Sequence, residues 1–562
     1  MAFSLMFPDA DRRTGTKLTP ESINDLSIDF IADALSDVKS ERDLLRGLMT
    51  TVTGDERTIR YRCDIFDDFL RFPSLRSTMS ELVRRLSDLR DLERFRMDSD
   101  ASALWSLMNR LREVSDYIDC ITLLKDTLTG LDITSPGMCA LRDMVTNIPE
   151  ESNFDALRAD IDELMTKAQR LKSVTIGVNL DKFLRPEAAG IVALNDEKFR
   201  DSGLMSRFMD FTSTKHDVRH GLDLGKSGRF HPASPPTSHK GLETMAVING
   251  RNIETSSVTG DDPLSKSIGK SVTDIMRRTV NDIKARISKF VDFSGYSLIG
   301  LMPEILFYIR WAELVEKIMA TGMPMTKAEI LPPGQREFHL RDVYNLKLAI
   351  NKVKGEALDI VTNDIDFDNR YRIFILTGPN RGGKTIFTQA VGLAVLMAQW
   401  GVYVPASAAQ ISPCDNIFTH FPADENDTVD LGRLGEESQR LSDIFKVATR
   451  YSMLLLNESL ATTSVAEGLF IAKDVVKSMR YLGARVIFNT HMHELARSLD
   501  ELNGSVDGDS RVESLVTGVH DGQRSFKVSI IPPQGTSYAK DIALKYGVTF
   551  DIIKESIDKK QS

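Results

Sequence analysis

The stretch Gly378-Pro379-Asn380-Arg381-Gly382-Gly383-Lys384-Thr385 satisfies the pattern G-x-x-x-x-G-K-[ST]. Its flanks constrain the fold further. Arg372 to Leu376 before it is an apolar run of β-formers, and Ile386 to Trp400 after it is a helix-length segment rich in Ala, Val and Leu. A strand feeding a helix through a glycine turn belongs to a layered α/β domain with parallel strands. In that context the turn is a phosphate cradle. Backbone N–H groups and the helix N-terminus hold phosphate oxygens, Lys384 adds a point charge, and the Thr385 hydroxyl ligates Mg²⁺. The ligand class implied is a nucleoside triphosphate, with ATP and Mg²⁺ as the expected cofactors.

A cradle does no chemistry by itself, so an acidic group at the end of a buried strand is the next requirement. Met453 to Leu456 is an apolar strand that runs into Asn457-Glu458. In many P-loop ATPases this pair reads Asp-Glu; the Asp supports the metal and the Glu orients the attacking water. Asn457 still accepts a hydrogen bond from a metal-bound water but brings no charge to offset the metal. Glu458 is a competent water-orienting base. The plainer alternative is a core strand ending in a polar turn. A third strand, Val486 to Asn489, leads to Thr490-His491. A histidine there can donate to a γ-phosphate, or it can be structural.

The rest of the chain frames this domain. With 562 residues, 42% hydrophobic and 27% charged, the composition is that of a multidomain protein with sizeable cores. The four cysteines, Cys63, Cys120, Cys139 and Cys414, have neither metal-ligand nor disulfide spacing. The N-terminus reaches Asp9 and Asp11 too soon for a signal peptide, and no run of about 18 apolar residues is present. A cytoplasmic protein with no membrane span is expected. Five segments are expected: a mostly helical 1–75, a helical arm at 76–180, a loop-rich β insert at 181–262, a helical return at 263–325, and the nucleotide domain at 326–562. Thr19-Pro20-Glu21 reads as a cap opening a helix through Leu35. Leu82, Leu86, Leu89 and Leu92, then Leu104, Leu107, Leu111 and Val114, recur at helical spacing around a break at Asp98-Ser99-Asp100.

Taken in order, Thr377 to Thr385, then Asn457 to Ser464, then Asn489 to Leu495 resemble the ATPase domain of the MutS family, whose motifs read T-G-P-N-M-G-G-K-S, D-E with a turn ending T-S-T, and T-H-x-x-E-L. Tyr403 to Ala406, Ile417 to Thr419 and Thr536 to Ala539 match further pieces, so the resemblance covers about 330–558. It implies a C-terminal P-loop α/β domain of the ABC type behind a helical core, lever and clamp, lacking the N-terminal mismatch-reading domain. It also implies a homodimer with two composite ATP sites. Thr463, Ser464 and Glu467 would then lie near the subunit boundary, and Ile365 and Phe367 beside the adenine, although either residue fits simple core equally well. The departures are Arg381 for Met, Asn457 for Asp, and Leu431 to Ser438 where the family has a Ser-Thr pair before a helix. A Gly-rich turn at Gly432 and Gly435 would offer N–H groups to a neighbour's γ-phosphate.

The net charge of −9 excludes a generally basic DNA-coating protein, so any nucleic-acid contact is local. Lys270, Arg277 and Lys284 share a face at sevenfold spacing; His216, Arg219, His220, Lys226, Arg229 and Lys240 form a second basic set within the 210–240 insert. Either set suits phosphates rather than bases, or is simply solvated. Two functions follow. One is a MutS-like ATPase that switches a helical arm around DNA, in mismatch-related or branched-DNA processing, with turnover slowed by Asn457. The other is a scaffold that binds ATP with little turnover and organises protein partners.

Overall fold

The structure, a computed structural model, describes residues 3–9, 15–98, 103–151, 158–163, 166, 173–180, 182–183, 186–195, 296–379, 381–422, 432–460, 465–520, 523–532 and 546–554. Its contacts divide into two compact units. One gathers Met1–Arg76, Ile133–Cys139 and Pro303–Ser562, and the other Ser77–Asp132 and Ala140–Met302. The segments 1–75 and 326–562, separated by sequence reading, therefore fall in the same unit.

The first unit is built on a six-stranded sheet. Its strands are β1 (Tyr371–Thr377), β2 (Ile417–His420), β3 (Met453–Asn457), β4 (Arg485–Asn489), β5 (Arg511–His520) and β6 (Gln523–Ile530). They lie in the order β2-β3-β4-β1-β5-β6. All neighbours are parallel except the β5–β6 pair at the edge. Every residue of β3 and β4 is buried, as expected of parallel strands covered on both faces. On one face, α3 (Val465–Leu482) sets Ala472, Val476 and Met479 into a core with Ile375, Leu456 and Phe488.

On the other face lies α1 (Lys384–Trp400), the helix that follows the glycine loop Gly378 to Gly383. Ala390 to Trp400 are all buried, Gln399 included, so this part of the helix needs cover on its outer side as well. The N-terminal segment supplies that cover. Trp400 Nε1 donates to Met49 O at 3.0 Å, and Gln399 Nε2 donates to Thr53 O at 2.7 Å. Arg62, itself buried, donates to Gln399 O at 3.1 Å and to Met6 O at 2.8 Å. Gly392 allows the close approach; a Cβ there would stand 2.5 Å from Leu455 and 3.0 Å from Leu26. Ser22 caps the buried edge strand β2 of the sheet. Its hydroxyl donates to Ile417 O at 2.9 Å and accepts from Thr419 N at 3.3 Å, which blunts pairing at β2.

A smaller sheet of four strands orders Glu329–Ile330, Ala408–Ile411, Phe338–Val343 and Asn363–Phe367. Phe367 stacks on Phe338 at 4.1 Å and meets Phe374 of β1 edge-on at 4.7 Å, joining the two sheets.

The second unit contains most of the helices Pro73–Asp98 and Ala103–Thr129 and an antiparallel pair, Ser173–Leu180 with Pro186–Asn195. Leu82, Leu86, Ile121, Leu124 and Leu128 are fully buried, and Thr127 donates to Thr78 across the two helices at 3.2 Å. The helical spacing read from Leu82 and Leu86 holds; the side chains of Leu89, Leu92, Leu104, Leu107, Leu111 and Val114 lie outside the described residues. The expected single helix from Pro20 to Leu35 is two, Pro20–Asp25 and Ile28–Leu35, because Ser27 turns left-handed at φ 57°. Thr19 does cap the first, accepting from Ser22 N at 3.2 Å. Within the stretch 263–325, read as a helical return, the described part is a helix from Tyr296 to Ala320 that carries Pro303 inside it. Among the described residues, no helix is long and apolar enough to cross a membrane.

Candidate active site

Strand register brings the three motifs to one rim. Asn457 of β3 pairs with Asn489 of β4, which pairs with Leu376 of β1. The three strands thus end level, and Gly378, Glu458 and Thr490-His491 leave the same edge of the sheet. Because β4 lies between β1 and β3, the histidine emerges between the glycine loop and the acid. The carboxyl ends of parallel strands are where ligands bind in sheets of this type.

The loop itself is built from glycines that have no substitute. Gly378 has φ +141°, and a Cβ there would sit 2.0 Å from Thr517 Oγ1. Gly383, at φ +86°, is the N-cap of α1. Arg381 is a non-glycine residue at φ +59° and is exposed. Lys384 is buried, and its Nζ donates to Gly378 O and Pro379 O, each at 3.2 Å. Burial lowers the Lys384 pKa, and the nearby Glu458 carboxylate partly opposes the shift. Asn380 lies outside the described residues.

Next to the lysine, the Thr385 hydroxyl donates to Asn457 Oδ1 at 2.9 Å. Asn489 Nδ2 donates to the same oxygen. Asn457 therefore presents its carbonyl oxygen toward Thr385, with Asn489 fixing the amide's orientation. Sequence reading missed this role of Asn489, because only strand register puts it beside Asn457. Magnesium takes one or two protein oxygens and fills its other positions with water and phosphate. Thr385 and Asn457 fit that demand, with neutral donors only. Among the described residues, no cluster of three or more His, Cys, Asp or Glu could hold a metal independently.

Glu458 Oε1 lies 2.7 Å from His491 Nε2. The hydrogen bond from His491 holds the Glu458 carboxyl below its usual pKa against the opposing effect of burial. Both side chains are about one third exposed, at 35% and 36%, so the pair is open to a small molecule. Glu458 sits at φ +53°, a strained conformation for a non-glycine residue. Phosphate cradle, hydroxyl with amide, and carboxylate with imidazole together can bind a triphosphate, seat a divalent ion and orient a water.

Other expected site residues fall elsewhere. Ile365 exposes 3% and Phe367 none of its surface, so of the two roles left open the packing supports core; the Phe367 ring has no face for a base. Gly432 and Gly435 stand in the helix α2 (Gly432–Val447) instead of in a turn. Glu467 lies in the first turn of α3. Lys270, Arg277, Lys284, the 210–240 insert with its basic set, Thr463, Ser464 and Thr536 to Ala539 lie outside the described residues.

Comparison with known proteins agrees with this layout. The model for MutS domain V matches residues 374–556, and the model for the MutS2 N-terminal domain matches residues 54–321. The DNA mismatch repair protein MutS of Halothermothrix orenii is 36% identical over 514 residues, covering 85% of this chain and 55% of that protein. The protein of the same name from Chlorobium chlorochromatii is 32% identical over 211 residues, 37% of this chain and 24% of its own length. The DNA mismatch repair protein spellchecker 1 of Drosophila melanogaster is 33% identical over 182 residues, 32% of this chain and 19% of its own. The chain thus spans about half the length of one relative and a quarter or less of the other two. Two domain models of one kinship, matched in chain order, and a relative aligned over most of the chain show that this chain belongs to the MutS family.

Proposed function

We propose that the protein binds and hydrolyses ATP with Mg²⁺ and uses the cycle to control its hold on DNA, in mismatch-related or branched-DNA processing. The observation that carries this reading is the shared rim: a phosphate loop, the Thr385–Asn457 contact and the Glu458–His491 pair on three adjacent strands. In this reading Gly378 to Thr385 cradle the phosphates and Lys384 turns from the loop carbonyls to the γ-phosphate. Thr385 would hold the metal ion, and Asn457 would support it through its amide oxygen. Glu458 orients the attacking water, and His491, held by Glu458, reports on the γ-phosphate. The magnesium ion supplies charge neutralisation on the phosphates. The strand order, with β4 between β1 and β3, supports an ABC-type P-loop ATPase fold for the nucleotide part.

By family membership the working form is a homodimer whose ATP sites are completed across the boundary, with 76–180 and 263–325 as core and lever and 181–262 as the clamp. Lys270, Arg277, Lys284 and the 210–240 insert are the proposed phosphate contacts. A steady-state ATPase assay on the wild type and Glu458→Gln, with salt-dependent gel shifts on duplex, mismatched and branched DNA, tests both halves. Wild-type turnover no faster than the variant's would remove hydrolysis. Absence of DNA binding at low salt, with and without ATP, would remove the DNA half.

A further inference from the structure

The turn that carries Glu458 is tied at three successive residues to three different elements. Glu458 N donates to Asn489 O of β4 at 2.8 Å. Ser459 Oγ donates to His420 O of β2 at 3.1 Å and lies 2.6 Å from His420 Nδ1. The hydroxyl has one proton, and the carbonyl takes it; His420 Nδ1 is therefore the donor in the second contact. Leu460 N donates to Glu437 Oε2 of α2 at 2.5 Å. Glu458 at φ +53° and Leu460 at φ +64° are both left-handed without being glycine. Such residues persist only where their surroundings hold them there.

Two of the three ties come from the sheet, which is rigid. The third comes from a side chain on a helix at the sheet's margin, and it is charge-assisted, the stronger class of hydrogen bond. We propose that Glu437 is a positioning residue for ATP hydrolysis: its carboxylate holds the Leu460 N–H, keeps the turn left-handed, and thereby aims the Glu458 carboxylate. The inference rests on the hydrolytic reading above. It makes the place of α2 and the direction of the acid a single variable, because withdrawal of the helix removes the Leu460 acceptor. Sequence gives no sign of it, since Glu437 and Leu460 are 23 positions apart.

The test uses the full chain with Glu437→Ala, Glu437→Gln, Glu437→Asp and, as a control on the same helix, Gln439→Ala, an exposed residue bonded to Asp443. Alanine removes the acceptor; a misaimed base costs about 10–100-fold in kcat with the KM for ATP little changed. Glutamine keeps an acceptor oxygen at the same reach and restores most of kcat. Aspartate keeps the charge but withdraws it by one methylene and fails like alanine, which also covers the case in which alanine does not fold. Gln439→Ala stays at the wild-type rate. Hydrogen exchange over residues 457–461, read without nucleotide, is faster in the alanine and aspartate variants and near wild type in glutamine. Wild-type kcat and exchange in Glu437→Ala, or a glutamine variant as impaired as alanine, overturn the proposal. If the wild type itself does not hydrolyse ATP, the hydrolytic reading falls, and the positioning role falls with it even where exchange shows the contact to be real.

Discussion

In the proposed reading, Asn457→Asp should convert a neutral metal seat into a charged one, and the hydrogen-bond donors around it are already in place. The side chain already accepts from the Thr385 hydroxyl at 2.9 Å and from Asn489 Nδ2, so both donors would serve a carboxylate without rearrangement. A carboxylate about 4 Å from a divalent ion gains roughly 8 kcal/mol of gross attraction at an effective dielectric near 20. Burying that carboxylate, at a position only 6% exposed, offsets several kcal/mol of it. A net of about 1.4–3 kcal/mol remains, which corresponds to the 10–100-fold range typical of groups that support a metal site. The Mg²⁺ concentration for half-maximal ATP binding, followed by fluorescence of a labelled nucleotide, should therefore fall about 10–100-fold. The same variant should be less stable than wild type in EDTA and more stable with Mg²⁺ and ATP, a change of sign that simple damage to the site would not give. An unchanged Mg²⁺ requirement would refute the idea that the missing charge at 457 governs metal affinity.

Glu458→Gln should retain ATP and lose about 10²–10⁴-fold in kcat, measured by phosphate release in single turnover. Gly378→Ala must force a Cβ to within 2.0 Å of Thr517 Oγ1 at φ +141°, and should abolish measurable nucleotide binding by calorimetry while leaving the far-UV spectrum intact. Trp400→Ala removes a ring 1% exposed that packs on Trp311 at 5.7 Å; it should cost about 3–5 kcal/mol, seen as a lower urea midpoint for the first unit. His420 is held neutral by burial, with its pKa pushed down to about 4. An unfolded histidine near 6.5 binds a proton first, so stability is complete above that pH and is lost as pH falls toward 4, by about 3 kcal/mol in all. Urea titrations at pH 7 and pH 5 should show that slope in the wild type and a shallower one in His420→Gln.

The parts of the candidate site were legible because each is local in sequence. A glycine turn between strand and helix, and two apolar strands ending in Asn-Glu and Thr-His, declare themselves within a few residues. What they do to one another was not legible. The bond from Asn489 to Asn457, the pinning of Leu460 by Glu437 and the seat of Thr517 under Gly378 depend on strand order and register, which periodicity does not encode. Ile365 and Phe367 alternate as a strand does on either assignment; only the stacking of Phe338 and Phe374 around Phe367 gives it to the core. The N-terminal helices looked like a separate segment for a similar reason. Their apolar faces are plain in the sequence, but nothing in it names a partner more than 300 residues away, such as Gln399 for Thr53.

That long reach has a consequence for biosynthesis. Met49, Thr53 and Arg62 leave the ribosome long before Gln399 and Trp400, the residues they bond, have been made. At about 5–20 residues per second the interval is roughly 15–70 s. Throughout it Phe66, fully buried in the finished protein, lacks Tyr403, the ring it meets edge-on at 5.6 Å. Non-local contacts of this kind slow folding and leave apolar surface open to aggregation. Until those residues are made, the first 76 residues keep part of their apolar surface uncovered. A nucleotide domain produced from residue 326 onward would emerge with the outer side of its P-loop helix bare, whatever the quality of its ATP site.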